Sequence, residues 1–171
     1  MKFFHGANRS GPYFEGWYLK HQNTHGQMLA LIPAFHIDRR GRRSASLQVI
    51  SNCGAWWLEY SDAQFQASPA QLRIQVGQSS FSAQGIDLHI QQDGLSLHGT
   101  LTYGPFTALR SDIMGPFQLF AGMQCSHGVI SMGHSLCGTL TLNGEQLDFS
   151  HGIGYIETDR GRSFPRTYLW T

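Results

Sequence analysis

Apolar and polar residues alternate with a period of two along much of the chain, and turn residues interrupt the alternation at short intervals. Successive side chains of a strand point to opposite faces, so this is the pattern of half-buried antiparallel strands. Ile86, Leu88 and Ile90 lead into Gln92-Asp93-Gly94 and are followed by Leu95, Leu97, Leu101 and Tyr103, which predicts a hairpin. Leu136, Leu140 and Leu142 lead into Asn143-Gly144 and then Leu147 and Phe149. The Asn-Gly pair tolerates the left-handed backbone of a tight primed turn and predicts a second hairpin. Further strands are expected over residues 13–21, 27–36, 45–51, 55–60, 72–76, 127–132, 152–157 and 164–171. Only Phe106, Leu109 and Ile113 show helical spacing, between Gly104-Pro105 and Gly115-Pro116, which allows a few turns. The expected class is mainly β, antiparallel, with at most a short helix.

An antiparallel sheet of this length has to hide its edges. An up-and-down or meander β-barrel does so and leaves an interior for a small apolar molecule; a sandwich is the alternative. The length of 171 residues fits one domain, read over 1–171. Charged residues make up 13%, apolar residues 41% and aromatics 12%, which disfavours disorder and a coiled coil. Twelve Lys and Arg against eleven Asp and Glu leave a net charge of +1, too balanced for a nucleic-acid partner held over a broad face. The longest apolar run, Met28 to Pro33, is far too short for a membrane helix, and the first residues lack a signal-peptide core, so a cytoplasmic protein is expected. Cys53, Cys125 and Cys137 are odd in number and form no CxxC pair, so they are expected to be reduced. The alternation of Tyr168, Leu169 and Trp170 runs up to the last residue, as in a strand cut partway.

Two stretches carry a family resemblance. One is Ser10-Gly11-Pro12-Tyr13-Phe14-Glu15-Gly16-Trp17-Tyr18-Leu19-Lys20. The other runs from Gly115-Pro116-Phe117 through Cys125-Ser126-His127-Gly128-Val129-Ile130-Ser131 and Gly154-Tyr155-Ile156-Glu157 to Ser163-Phe164-Pro165. Together they resemble the N-terminal portion of the tocopherol cyclase family, in the family's order and over most of the chain. The resemblance implies a lipocalin-like barrel that pairs with a second, related β domain, making this chain the N-terminal half of a longer protein. In plants and cyanobacteria it implies an enzyme that closes the chroman ring of a prenylated quinol. Thr158-Asp159-Arg160-Gly161 departs from the family pattern, in which a charged residue, Asp, Trp and Gly are more usual.

Ring closure of that kind is an isomerisation needing an acid to protonate a trisubstituted alkene, a pocket that tolerates the tertiary cation, and a phenol oxygen held within reach. A carboxyl group with a pKa near 4 is protonated only about one part in a thousand at pH 7, and raising it by three units costs about 4 kcal/mol. Glu15 and Glu157 are the first candidates because each lies in an apolar strand; Asp159 is the third. Glu15 shares strand parity with Tyr13 and Trp17, which sets an acid beside an aromatic face able to stabilise positive charge. The competing reading is structural: Trp17 plugs the closed end of the barrel and meets Arg160, Arg162 or Arg166, and Glu157 pairs with Arg160 or Arg162. Tyr18, Phe35, Trp56, Trp57 and Tyr155 are candidates to line a ligand cavity, against the alternative of ordinary core.

Nine histidines invite a metal reading, through His21 and His25 or through His127, His134 and His151. No thiolate pair accompanies them, and neither a metal nor any cofactor is expected. His36 and His127 are candidates for proton relay or phenol orientation. Gly133-His134-Ser135-Leu136-Cys137-Gly138 has one residue too many for a nucleophile elbow, and Gly152-Ile153-Gly154 lacks the third Gly of a dinucleotide fingerprint. Asp38-Arg39-Arg40-Gly41-Arg42-Arg43 is a basic turn, read as a solvated hairpin tip or as a contact with anionic headgroups. The expected partners are a small hydrophobic ligand, a peripheral membrane contact, and a second domain or a second copy. Three functional readings stand: a cyclase, a non-catalytic carrier, and a scaffold whose working site lies at a domain junction.

Overall fold

The computed structural model describes residues 2–111, 113–115 and 123–163. Twelve strands form one antiparallel sheet: β1 (Tyr13–Gln22), β2 (Met28–Ile37), β3 (Arg43–Ser51), β4 (Gly54–Ser61), β5 (Phe65–Ala67), β6 (Arg73–Val76), β7 (Ser79–Ser82), β8 (Gly85–Gln92), β9 (Leu95–Tyr103), β10 (Cys125–Leu142), β11 (Glu145–Asp148) and β12 (Ile153–Gly161). Short 3-10 turns occupy Gly6–Asn8 and Asp62–Gln64. The strand order is β4-β3-β2-β1-β12-β10-β9-β8-β7-β6-β5, with β11 paired to β10. The mainly β, antiparallel expectation is borne out. The ladder is not closed, however: its two end strands, β4 and β5, are consecutive in the chain and joined by the second 3-10 turn.

Both expected hairpins form, as β8–β9 and β10–β11. The helical spacing at 106–113 produces no helix over 104–111, where backbone bonds run instead to β10: Thr107 N–H donates to the Gly133 carbonyl, and Met132 N–H to the Thr107 carbonyl. The strand expected at 164–171 lies outside the described residues, as does Arg166. Within β2, Pro33 cannot donate to a ladder, and the β1–β2 pairing skips from Gly16–Ala34 to Leu19–Leu31 around it.

Alternation in β1 decides which face is the inside. Tyr13, Glu15, Trp17, Leu19 and His21 are buried, and the residues between them are half-buried on the opposite face. The inner face meets Leu29, Leu31 and Phe35 of β2, Leu47 and Val49 of β3, and the apolar rows of β8 to β10, which form one continuous core. Trp17, Phe35, Phe81 and Phe149 are fully enclosed, so large apolar side chains occupy the interior among the described residues.

One end of the core is plugged by the N-terminal segment. Phe4 packs between Trp17, Phe35 and Phe65 at centroid separations of 5.4 to 6.2 Å. Glu15 holds that segment in place. Its carboxylate accepts from the His5 and Gly6 N–H groups at 2.8 and 3.1 Å and from the Tyr13 hydroxyl at 2.9 Å, and it pairs with His5 Nδ1 at 2.8 Å. A carboxylate with this many donors is a structural anchor, because each of those groups would otherwise be desolvated without a partner. The Glu15→Ala variant should lose on the order of 3 kcal/mol of unfolding free energy. Urea titration measures the loss, and faster amide exchange over residues 3–9 marks the released plug; a loss below about 1 kcal/mol would contradict the anchoring role.

Candidate functional site

Register places a second set of side chains on the outer face of β1, β12 and β10. Tyr18 lies opposite Glu157, which lies opposite Val129; Gly16 lies opposite Asp159, which lies opposite His127. Directly opposed residues share a face, so Tyr18, Cys125, His127, Tyr155, Glu157 and Asp159 form one patch. His127 Nδ1 is 2.9 Å from Asp159 Oδ1, and its Nε2 is 3.7 Å from Glu157 Oε2. The Tyr155 hydroxyl donates to Glu157 Oε2 at 2.5 Å, and the Tyr18 and Tyr155 rings meet edge to face at 6.5 Å. Beside Tyr155 a small surface cavity of about 80 Å³ is lined by Lys20, Gln22, Met132 and Ile153.

The surroundings set the acidity of these groups. Burial raises the Glu157 carboxyl above the usual carboxylate range, and the Asp159 charge adds to the rise; the Tyr155 hydrogen bond and His127 work against it. Burial, the hydrogen bond to Glu157 and its charge raise the Tyr155 phenol. The Cys125 thiol, 3.8 Å from Asp159 Oδ1, is pushed up to about 11 by burial and by that carboxylate, so it is a thiol and not a nucleophilic thiolate at neutral pH.

The residues singled out from sequence therefore divide between two faces. Trp17 and Phe35 belong to the filled core, and Glu15 is enclosed by its four hydrogen-bond partners. Tyr18, His36, Trp57, His127, Tyr155, Glu157 and Asp159 lie on the outer face, where β2 and β3 extend the surface from the acid cluster toward Trp57. His36 donates to or accepts from Ser46 Oγ at 2.9 Å, lies 6.4 Å from the half-exposed Trp57 ring, and is lowered in pKa by burial. The expected partners of Glu157, Arg160 and Arg162, are replaced by Tyr155 and His127. His127, Glu157 and Asp159 also offer ligand atoms within 4.8 Å of one another, a spacing compatible with a divalent ion.

A separate buried cluster, unforeseen as a unit, joins β1, β9, β10 and β12 on the inner face. His21 Nδ1–H donates to the Leu29 carbonyl at 3.1 Å, and its Nε2 accepts from the Tyr103 hydroxyl at 2.5 Å. His134 Nδ1 is 3.0 Å from Ser131 Oγ, which donates to the Gly133 carbonyl at 3.1 Å. His134 Nε2 is buried without a partner among the described residues and faces Gly154, where a methyl group would collide with it. Gly154 of the Gly-Tyr-Ile-Glu motif is thus required by close packing against an imidazole. The two β-bulges of β10, at 129–131 and 131–134, bring Ser131 and His134 to the inner face.

Among known proteins, no family model matches the chain, and no curated protein matches it. No helix among the described residues is long and apolar enough to cross a membrane.

Burial lowers both His21 and His134 to a pKa of about 4, from an ordinary value near 6.5. The unfolded chain therefore binds more protons than the folded one between these values. Stability present above pH 6.5 is lost as the pH falls toward 4, by on the order of 3 kcal/mol per histidine. Glu157, raised in the folded state, opposes this with the reverse sign. Thermal melts from pH 7 to pH 4 should show a steep decline, flattened in His134→Gln; a pH-independent melting temperature would refute the buried neutral imidazoles.

Proposed function

We propose that the outer face of β1, β12 and β10 binds a hydrophobic substrate and that Glu157 is its proton donor, in a tocopherol-cyclase-like ring closure. The observation that carries this reading is the Glu157 carboxyl itself. It is buried on an open sheet face, raised in pKa, and held at one oxygen by Tyr155, with the His127–Asp159 pair alongside. The family resemblance of the Gly-Tyr-Ile-Glu and Phe-Glu-Gly-Trp-Tyr stretches supports the same chemistry. Because Glu157, Tyr155 and His127 lie on the outer face and large apolar side chains occupy the described interior, the substrate is assigned to the outer face.

The steps balance as an isomerisation. Glu157 gives its proton to the less substituted carbon of a prenyl alkene, leaving a tertiary cation. The phenol oxygen attacks that cation, forming the C–O bond, and its proton passes to the Glu157 carboxylate through His127, whose Nδ1 is oriented by Asp159. Tyr18 and Tyr155 supply the aromatic faces that would stabilise the developing charge. A non-catalytic carrier is the second reading, favoured by Met28, Ile50, Trp57, Met132 and Ile153, which expose large apolar surface on this same face.

A prenylated hydroquinone with a trisubstituted side-chain alkene separates the two. Chromatography should detect the chromanol with the wild-type protein, and Glu157→Gln should reduce its formation by roughly a hundredfold or more while affinity stays within about threefold. Binding without any chromanol from the wild type would favour the carrier. Unchanged turnover in Glu157→Gln would remove Glu157 as the acid.

A further inference from the structure

The small net charge conceals an uneven distribution. At the end of the sheet where β1 begins, Tyr13 lies opposite Ile37 at the end of β2, Ile37 lies opposite Arg43 at the start of β3, and Phe14 lies opposite Gly161 at the end of β12. Arg9 precedes β1 at this end, Arg39, Arg40 and Arg42 belong to the β2–β3 turn, and Arg43 opens β3. Arg160 and Arg162 come from the end of β12, so more than half of the twelve cationic side chains gather here.

Some of these arginines serve the fold. Arg42 Nε donates to Asp38 Oδ2 at 2.7 Å, and Arg43 donates to the Ala7 carbonyl at 2.8 Å while lying over the Phe35 ring. Arg9 lies over the Tyr13 ring, and with Arg162 it borders a surface cavity of about 410 Å³ that also takes in Ser10. Arg39 and Arg40 are exposed at the tip of the turn. Of the acids at this end, Asp38 pairs with Arg42, Glu15 is enclosed by its donors, Asp159 lies next to Arg160, and Glu59 and Asp62 are exposed in and after β4, so the arginines outnumber the acids. At the other end of β1, Asn23 of the β1–β2 turn donates to the Asp148 carbonyl and Gln27 to the Glu145 carboxylate of β11.

We propose that this arginine end docks the protein on an anionic phospholipid surface. Guanidinium groups bind phosphate oxygens through paired N–H donors. Here they come from three separate segments and spread across the whole end, an arrangement that matches many phosphates held in a plane better than one soluble anion. The same end presents no exposed aromatic ring among the described residues on which a nucleic-acid base would stack; Trp57 lies on the outer face. Each basic side chain near an anionic bilayer contributes on the order of a fivefold gain in partition, so several together hold a protein at the surface reversibly. The proposal does not depend on the chemistry assigned to Glu157.

Sedimentation with vesicles tests it. The wild-type protein should pellet with vesicles that are one-third phosphatidylglycerol in phosphatidylcholine, stay in solution with phosphatidylcholine alone, and be released in half-molar salt. Arg39→Glu with Arg40→Glu, which touches no fold contact, should lower the partition by about tenfold or more. Gln146→Glu, an added acid on the β10–β11 hairpin, should leave it within about twofold, whereas Arg39→Gln, with the same one-unit change of net charge, should lower it about fivefold, which separates position from net charge. Circular dichroism verifies that all the variants remain folded. Equal partition into neutral vesicles, no loss in the folded double variant, or displacement from anionic vesicles by duplex nucleic acid at equal phosphate concentration would each overturn the proposal.

Discussion

The whole arrangement depends on the pleat of a β-strand, which sends neighbouring side chains to opposite faces. In β1 this one constraint commits Trp17, Leu19 and His21 to a packed interior and, between them, Tyr18 and Lys20 to the outer surface. Antiparallel register then carries the division across β12, so that Ile156 is sealed in the core while Glu157 emerges beside Tyr18. A sheet that curls around its apolar face gains stability by packing that face, and here Trp17, Phe35, Phe81 and Phe149 are enclosed there.

Glu15 and Glu157 illustrate how little residue type alone determines. Both are nearly removed from water. Glu15 meets two backbone N–H groups, a phenol and an imidazole, which together satisfy its oxygens and bind the N-terminal plug to β1. Glu157 meets one phenol at hydrogen-bond distance, with an imidazole further off and a second carboxylate near it, and burial dominates its acidity. The first environment fastens the N-terminal segment; the second leaves a carboxyl raised by burial on the outer face.

Much of the fold was legible because half-buried antiparallel strands announce themselves through alternation. The Asn143-Gly144 and Asp93-Gly94 turns appear with positive φ at all four residues, as their chemistry requires. What escaped notice has physical causes. β5 and β7 are three and four residues long, too short and too rich in Gln or Ser to show a period. β10 reads as two strands because its bulges shift the inward-facing parity partway along its 18 residues. The helical spacing of Phe106, Leu109 and Ile113 is overridden by backbone bonding of that segment to β10.

The candidate residues were visible as well, but not their grouping. Sequence by itself determined the mainly β class, the turns, the scarcity of acids in apolar strands and the parity that makes Glu15 a neighbour of Trp17, since all of these are local properties of the chain. Only the tertiary structure decided that Glu157, Asp159 and His127 meet while Glu15 is enclosed elsewhere, that His21 and His134 share a buried cluster, and that arginines from three segments gather at one end. Those outcomes depend on register between strands far apart in the chain, and register follows from packing the whole sheet, which no local pattern encodes.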